Sequence, residues 1–182
     1  KDHETFSSAY GLDLAMVKSG EPVPMKMIIL MDPPEHRKMR SLVNKVFTPR
    51  QIANLKPMVV GTIDRCFTAA DPQRFDVVQE FAAFFPVEVI TQMLGVPAER
   101  RQQVRQWVDT SLHREPGQIE MSAEGQQAIA EAMALYYELI QQRRAEPQDD
   151  MFTRLVQAEI EREDGQKESL DDFEIAGFAT LL

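Results

Sequence analysis

From residue 32 onward the apolar residues recur at three- and four-residue steps, and that period limits the chain to a mainly helical fold. The cleanest case is Ile52, Leu55, Val59, Ile63, Cys66 and Ala70, a stripe on one predicted helix that opens at Thr48-Pro49 and stops at Asp71-Pro72. Before it, Asp32-Pro33-Pro34-Glu35 reads as a helix start. Asp32 is the expected N-cap, Glu35 completes a capping box, and Pro33 takes the first helical position, where a missing N–H costs nothing. That helix is expected to run to about Phe47.

Further helices are predicted at about 77–84, from Pro86 to a C-cap at Gly95, and over 98–113 with Trp107. Ser122 is expected to cap a long helix to about Arg144 with the stripe Ile129, Met133, Tyr136 and Ile140. The last predicted helices are 149–162 and one that starts near Ser169-Leu170-Asp171-Asp172 and runs to the end. Asp164-Gly165 reads as a tight turn that leaves room for a small β-hairpin. There is no internal repeat and no domain boundary, so residues 1–182 form one unit. With Lys1 at one end and Leu181-Leu182 inside an apolar run at the other, the chain is expected to be a partial domain.

Residues 11–31 break the pattern. Gly11, Gly20, Pro22 and Pro24 make them a long loop with room for one short helix. Four of the ten methionines, Met16, Met25, Met27 and Met31, lie here. With Ile28, Ile29 and Leu30 they offer an adaptable apolar lining. A net charge of −9 disfavours non-specific binding to nucleic acid or to an anionic membrane. No apolar run approaches the roughly 20 residues of a membrane span. The single cysteine, Cys66, excludes an internal disulfide framework and suits a reducing, cytoplasmic compartment.

One pair of residues suggests chemistry. His36 and Arg40 stand four apart on a helix, so both side chains can reach one target. A guanidinium fork and a ring N–H together make a two-point clamp for a carboxylate. By itself this spacing also fits an idle, solvated face.

The surrounding string narrows the choice. Met31-Asp32-Pro33-Pro34-Glu35-His36-Arg37-Lys38-Met39-Arg40, followed by Leu42-Val43 and Phe47-Thr48-Pro49-Arg50, closely resembles the C-helix signature of bacterial cytochromes P450. Glu4-Thr5-Phe6-Ser7-Ser8 is similar to the end of that family's B helix. Leu94-Gly95-Val96-Pro97 is similar to the end of its E helix, and Asp149-Asp150-Met151-Phe152 to the start of its H helix. Asp171-Asp172-Phe173-Glu174-Ile175-Ala176-Gly177-Phe178 is similar to the entry of its I helix. Order and spacing agree along essentially the whole chain.

The resemblance implies a P450-like helical domain from the B helix to the start of the I helix. It also implies a haem b monooxygenase that inserts one atom of O2 into an apolar small molecule. His36 and Arg40 would hold a haem propionate. Met25, Met27, Ile28, Ile29 and Leu30 would contribute to the substrate pocket. Arg37, Lys38 and Lys45, with Arg50, would face a ferredoxin or flavodoxin-like electron donor. The thiolate ligand is not implied here: the family's cysteine loop is absent, and Cys66 on its stripe reads as a core thiol. Glu159-Ile160-Glu161-Arg162 imitates the family's Glu-x-x-Arg but precedes the I helix, and is expected to be an exposed helix pair. His113 is expected to serve the dipole of a helix C-terminus. No catalytic residue is assigned, and the 182 residues alone are expected to be inactive. The competing readings are a non-catalytic helical binding module and an inactive relative of the family.

Overall fold

The computed structural model describes residues 2–12, 14–23, 26–118, 120–161 and 166–182. The loop of the first thirty residues carries a short helix α1 (Leu14–Ser19) and a single 3-10 turn over Ile28–Leu30. Helix α2 (Glu35–Val46) then buries Met39, Leu42, Val43 and Val46. It starts later than expected, and Asp32 is not its cap. The Asp32 carboxylate instead accepts from the Ser7 hydroxyl and from the Ser8 N–H at 3.0 Å, so it is turned toward the preceding segment. Pro34 stands at the cap position without a side-chain bond.

Thr48 does cap α3 (Pro49–Asn54), accepting the Gln51 N–H at 3.3 Å. The long helix expected from this point is broken in two. Pro57 has no N–H to give to the preceding turn, so Leu55 becomes a junction and α4 (Lys56–Ala69) begins afresh with Pro57 in its first turn. Thr62 and Cys66 are buried on α4, while Ile52 on α3 is 49% exposed.

A π turn (Val78–Ala82) leads to α5 (Phe85–Leu94), which ends at Gly95 with φ +93°, the left-handed cap that glycine adopts without strain. Helix α6 (Ala98–Leu112) packs along α7 (Ala123–Ala145), and Trp107 Nε1 donates to Glu131 across that seam at 2.6 Å. Ser122 caps α7 as expected. The buried face of α7 is centred on Gly125, Ala128, Ala132, Leu135, Tyr136, Leu139 and Ile140, with Ile129 and Met133 only half-buried. Small residues win the seam because they let helices approach closely; a Cβ on Gly125 would lie 3.4 Å from the Thr110 carbonyl of α6.

Helix α8 spans Met151–Val156 only, and the predicted helix over 149–162 is corrected accordingly. Its second half is strand β1 (Glu159–Glu161), paired antiparallel with β2 (Lys167–Ser169) in the register Ile160↔Glu168. Ala158 and Leu170, buried at the foot of this hairpin, anchor it in the core. Glu159 and Glu161 are therefore strand residues and not a helix pair. Arg162 and the Asp164-Gly165 turn lie outside the described residues. Helix α9 (Asp172–Ala179) opens with a reciprocal capping box between Asp171 and Glu174, and it stops at Ala179 instead of continuing to the last residue.

The core gathers around Leu94, Ile140, Phe152, Leu155 and Ile175, from α5, α7, α8 and α9. Each contributes roughly 1.5–3 kcal/mol by leaving water. At its edge Arg143 of α7 makes a buried ion pair with Asp150 at 2.5 Å and donates to the Gly95 carbonyl at 3.0 Å. One guanidinium thus joins the end of α5 to the start of α8. No helix among the described residues is long and apolar enough to cross a membrane.

Candidate functional site

Helix α2 is amphipathic, and its two faces do different work. The apolar face packs against α8 and the 3-10 turn. The opposite face carries His36, Arg37 and Arg40; His36 is half-buried, the two arginines exposed. Among the described residues, none of these three side chains has a hydrogen bond or ion pair. Other arginines contrast with them: Arg101 pairs with Glu88, Arg143 with Asp150, Arg144 with Asp172 and Arg154 with Asp149. Among the described residues the α2 face therefore presents donors with no acceptor, which suits an anionic ligand from outside the chain.

The Asp32 carboxylate, just before α2, is already committed. The Ser7 hydroxyl, then the Ser8 N–H, hold the Asp32 carboxyl below its ordinary value, and the neighbouring His3 and His36 act in the same direction. This arrangement ties residues 7 and 8 to the start of α2.

A cleft of about 950 Å³ opens beside the helix, lined by Phe6, Ile28, Ile29, Met31, His36 and Arg37 among others. It joins an apolar wall to a polar rim of mixed charge, where His3, His36 and Arg37 stand beside Asp2 and Asp32. His36 and the apolar residues at 28 and 29, picked separately in the sequence, meet here. Arg40 lies one turn further along α2 and does not line the cleft. Arg37 does, although its sequence assignment was to an outer docking surface. Of the other expected lining residues, Leu30 and Met27 are buried at 6% and 8% exposure, and Met25 lies outside the described residues.

The two lysines of the expected docking stretch are engaged within the chain. Lys38 forms an ion pair with Glu168, and Lys45 donates to the Glu159 carbonyl. Both hold the β1–β2 hairpin against α2. Nothing in the local sequence signals this, because the partners are more than a hundred residues away.

Cys66 is a free, buried thiol on α4, which packs against α3 and α5 and does not line the cleft. His113 stands at the C-cap position of α6, with its exposed ring 3.1 Å from Glu115. No group of three or more His, Cys, Asp or Glu side chains among the described residues could hold a metal ion.

The chain matches no protein-family model. It is 35% identical over 184 residues to putative cytochrome P450 123 of Mycobacterium tuberculosis, and 34% identical over 190 residues to erythromycin C-12 hydroxylase of Saccharopolyspora erythraea. Each match covers 100% of this chain and 44% of the relative. Among solved structures, it superposes on the open cytochrome P450 EryK of S. erythraea with a TM-score of 0.80 at 33% identity, covering 100% of this chain and 44% of that one. The corticosterone complex of CYP109E1 from Bacillus megaterium gives a TM-score of 0.74 at 33% identity, covering 85% and 41%. The chain thus spans less than half the length of the relatives it matches.

Proposed function

We propose a function from one premise: this chain is a homologue of the bacterial cytochromes P450. In a protein of the relatives' full length, it would form part of a haem-thiolate monooxygenase acting on an apolar organic molecule. Haem, when bound, supplies the chemistry, activating O2 at a thiolate-ligated iron and delivering one oxygen atom to a C–H bond. The residues of this chain bind and orient. His36 and Arg40 would donate to a haem propionate from the α2 face. Ile28 and Ile29 line the cleft beside His36, with Met27 and Leu30 buried behind.

The observation that carries this reading is the face of α2 with His36, Arg37 and Arg40, unpartnered among the described residues, beside a cleft walled by Phe6, Ile28 and Ile29. It fits the carboxylate edge of a haem, whose faces are apolar and whose propionates are charged. Cys66 does not fit the role of axial ligand, because it is buried on a helix that does not line the cleft. For the 182 residues alone we therefore expect no thiolate-ligated haem and no activity.

A substrate of the size and apolarity of a sterol or polyketide is compatible with the cleft, in keeping with the erythromycin and corticosterone named for two relatives. Electrons would come from a small acidic ferredoxin or flavodoxin-like protein. Arg37 and Arg50 are the exposed arginines of the basic stretch left for it, since Lys38 and Lys45 already hold the hairpin.

Replacing Arg40 tests the clamp. In the full-length, haem-loaded enzyme Arg40→Ala removes a charge-assisted bond, and haem should transfer to an apo-protein acceptor roughly tenfold faster, with a shifted reduction potential. Unchanged haem loss and potential would remove Arg40 from the site.

A further inference from the structure

We infer that Lys26 is a positioning residue for the apolar wall of the cleft: it latches the Ile28–Leu30 turn to the start of α9, and so sets how readily an apolar ligand enters and leaves beside His36. The inference rests on the proposed function for its ligand and on geometry for the latch.

The turn is fixed at two ends of unequal strength. At one end Asp32 is held by the Ser7 hydroxyl and the Ser8 N–H. At the other, Lys26 Nζ lies 3.1 Å from Asp171 Oδ2 and 3.6 Å from Glu174 Oε1. These are the two carboxylates of the α9 capping box, and each uses its other oxygen to accept a backbone N–H, at 2.8 and 2.9 Å. The acceptors are therefore rigidly placed by the helix start, and the lysine is the flexible half of the latch. The pair is mutually stabilising: hydrogen bonding to Asp171 raises the Lys26 ammonium above its ordinary value. Burial works against the Asp171 carboxylate, yet the Glu174 N–H and Lys26 outweigh it and hold that carboxyl low.

Gly177 completes the contact. It lies one turn further along α9, and a Cβ there would come within 3.3 Å of Met27 Cγ and 3.8 Å of the Lys26 carbonyl. Its bare backbone lets the loop lie directly on the helix. The turn also has space on both sides. The cleft lined by Ile28 and Ile29 is on one, and on the other is a groove of about 470 Å³ lined by Lys26, Leu30, Leu170 and Glu174. The Lys26 side chain is 63% exposed, so its ion pair is weak and screened by salt. Such a contact biases the turn toward α9 without locking it there.

The test uses the full-length, haem-loaded enzyme and 4-phenylimidazole, whose binding to the iron is read by stopped-flow absorbance. Lys26→Met keeps the length of the side chain and removes its charge. It should raise the probe's association and dissociation rates by about two- to fivefold, the range an exposed ion pair supports, with melting temperature and CO-bound spectrum unchanged. Lys26→Arg should restore wild-type rates. Added KCl should bring the wild type to the rates of Lys26→Met and leave that variant unaffected. Equal rates in wild type and Lys26→Met at low salt, or failure of Lys26→Arg to rescue, would overturn the latch. If the protein takes up no haem, the functional reading fails, and amide exchange at residues 28–30 still decides the latch: faster in Lys26→Met supports it, unchanged refutes it.

Discussion

Gly95, Asp150 and Arg143 show how much can rest on three residues. A Cβ at Gly95 would lie 2.2 Å from Asp150 Oδ2, and its φ of +93° is one that other residues adopt only with strain. Asp150 caps α8 through the Thr153 N–H at 2.8 Å and neutralises Arg143, whose side chain is 6% exposed. Asp150→Ala should therefore cost about 3–5 kcal/mol in urea denaturation, because it strands a buried cation. Gly95→Ala should cost at least about 1–2 kcal/mol. A change under about 0.5 kcal/mol for Asp150→Ala would show that the pair is solvated in solution. Part of this was readable in advance, since Gly95 announces a left-handed cap by its place before Val96-Pro97. The ion pair was not, because it depends on α7 and α8 folding back on one another. Asp32 shows the opposite failure. Its capping-box spacing is sound local chemistry, but two donors from residues 7 and 8 compete successfully for the same carboxylate.

Periodicity served well wherever an element is bounded by local chemistry, as at Thr48, Ser122 and Asp171, each of which caps the helix expected of it. It failed where tertiary contacts decide. The stripe across Pro57 looked continuous because side-chain period does not register a missing N–H. The helix over 149–162 gave way to a strand because residues 159–161 find partners at 167–169. Helix α7 offers a pH test of its burial. Tyr136, 4% exposed and 5.7 Å from Phe152, has its phenol pushed up to about 12 by burial. Below pH 10 the phenol keeps its proton in both the folded and unfolded chain, so it adds no pH dependence. Between about pH 10 and 12 the unfolded chain loses the proton while the folded one keeps it, so stability falls, by about 2–3 kcal/mol over the window. Urea midpoints across this range should drop less in Tyr136→Phe than in the wild type. Parallel curves would mean that the phenol is not buried in solution.

Across the whole molecule, the mainly helical fold was more readable than the surroundings of the site, where His36 lines the cleft and Arg40 does not. His36 and Arg40 follow from a four-residue step on one helix, a purely local relation. The emergence of His36 beside Ile28 and Ile29 needs only the short span between the turn and α2. The engagement of Lys45 by Glu159 spans 114 residues and could be found only in three dimensions. It changes the picture of the basic stretch, since two of its cations, Lys38 and Lys45, secure the hairpin and Arg37 lines the cleft. The proposed function would join these features through an external anion with an apolar body, held by α2 and walled by the preceding turn. The most direct measurement is the absorption spectrum of the reduced, CO-bound full-length protein after haem addition. A Soret band at the position of thiolate-ligated haem is the expected result, and a folded, full-length protein that takes up no haem would contradict the central claim.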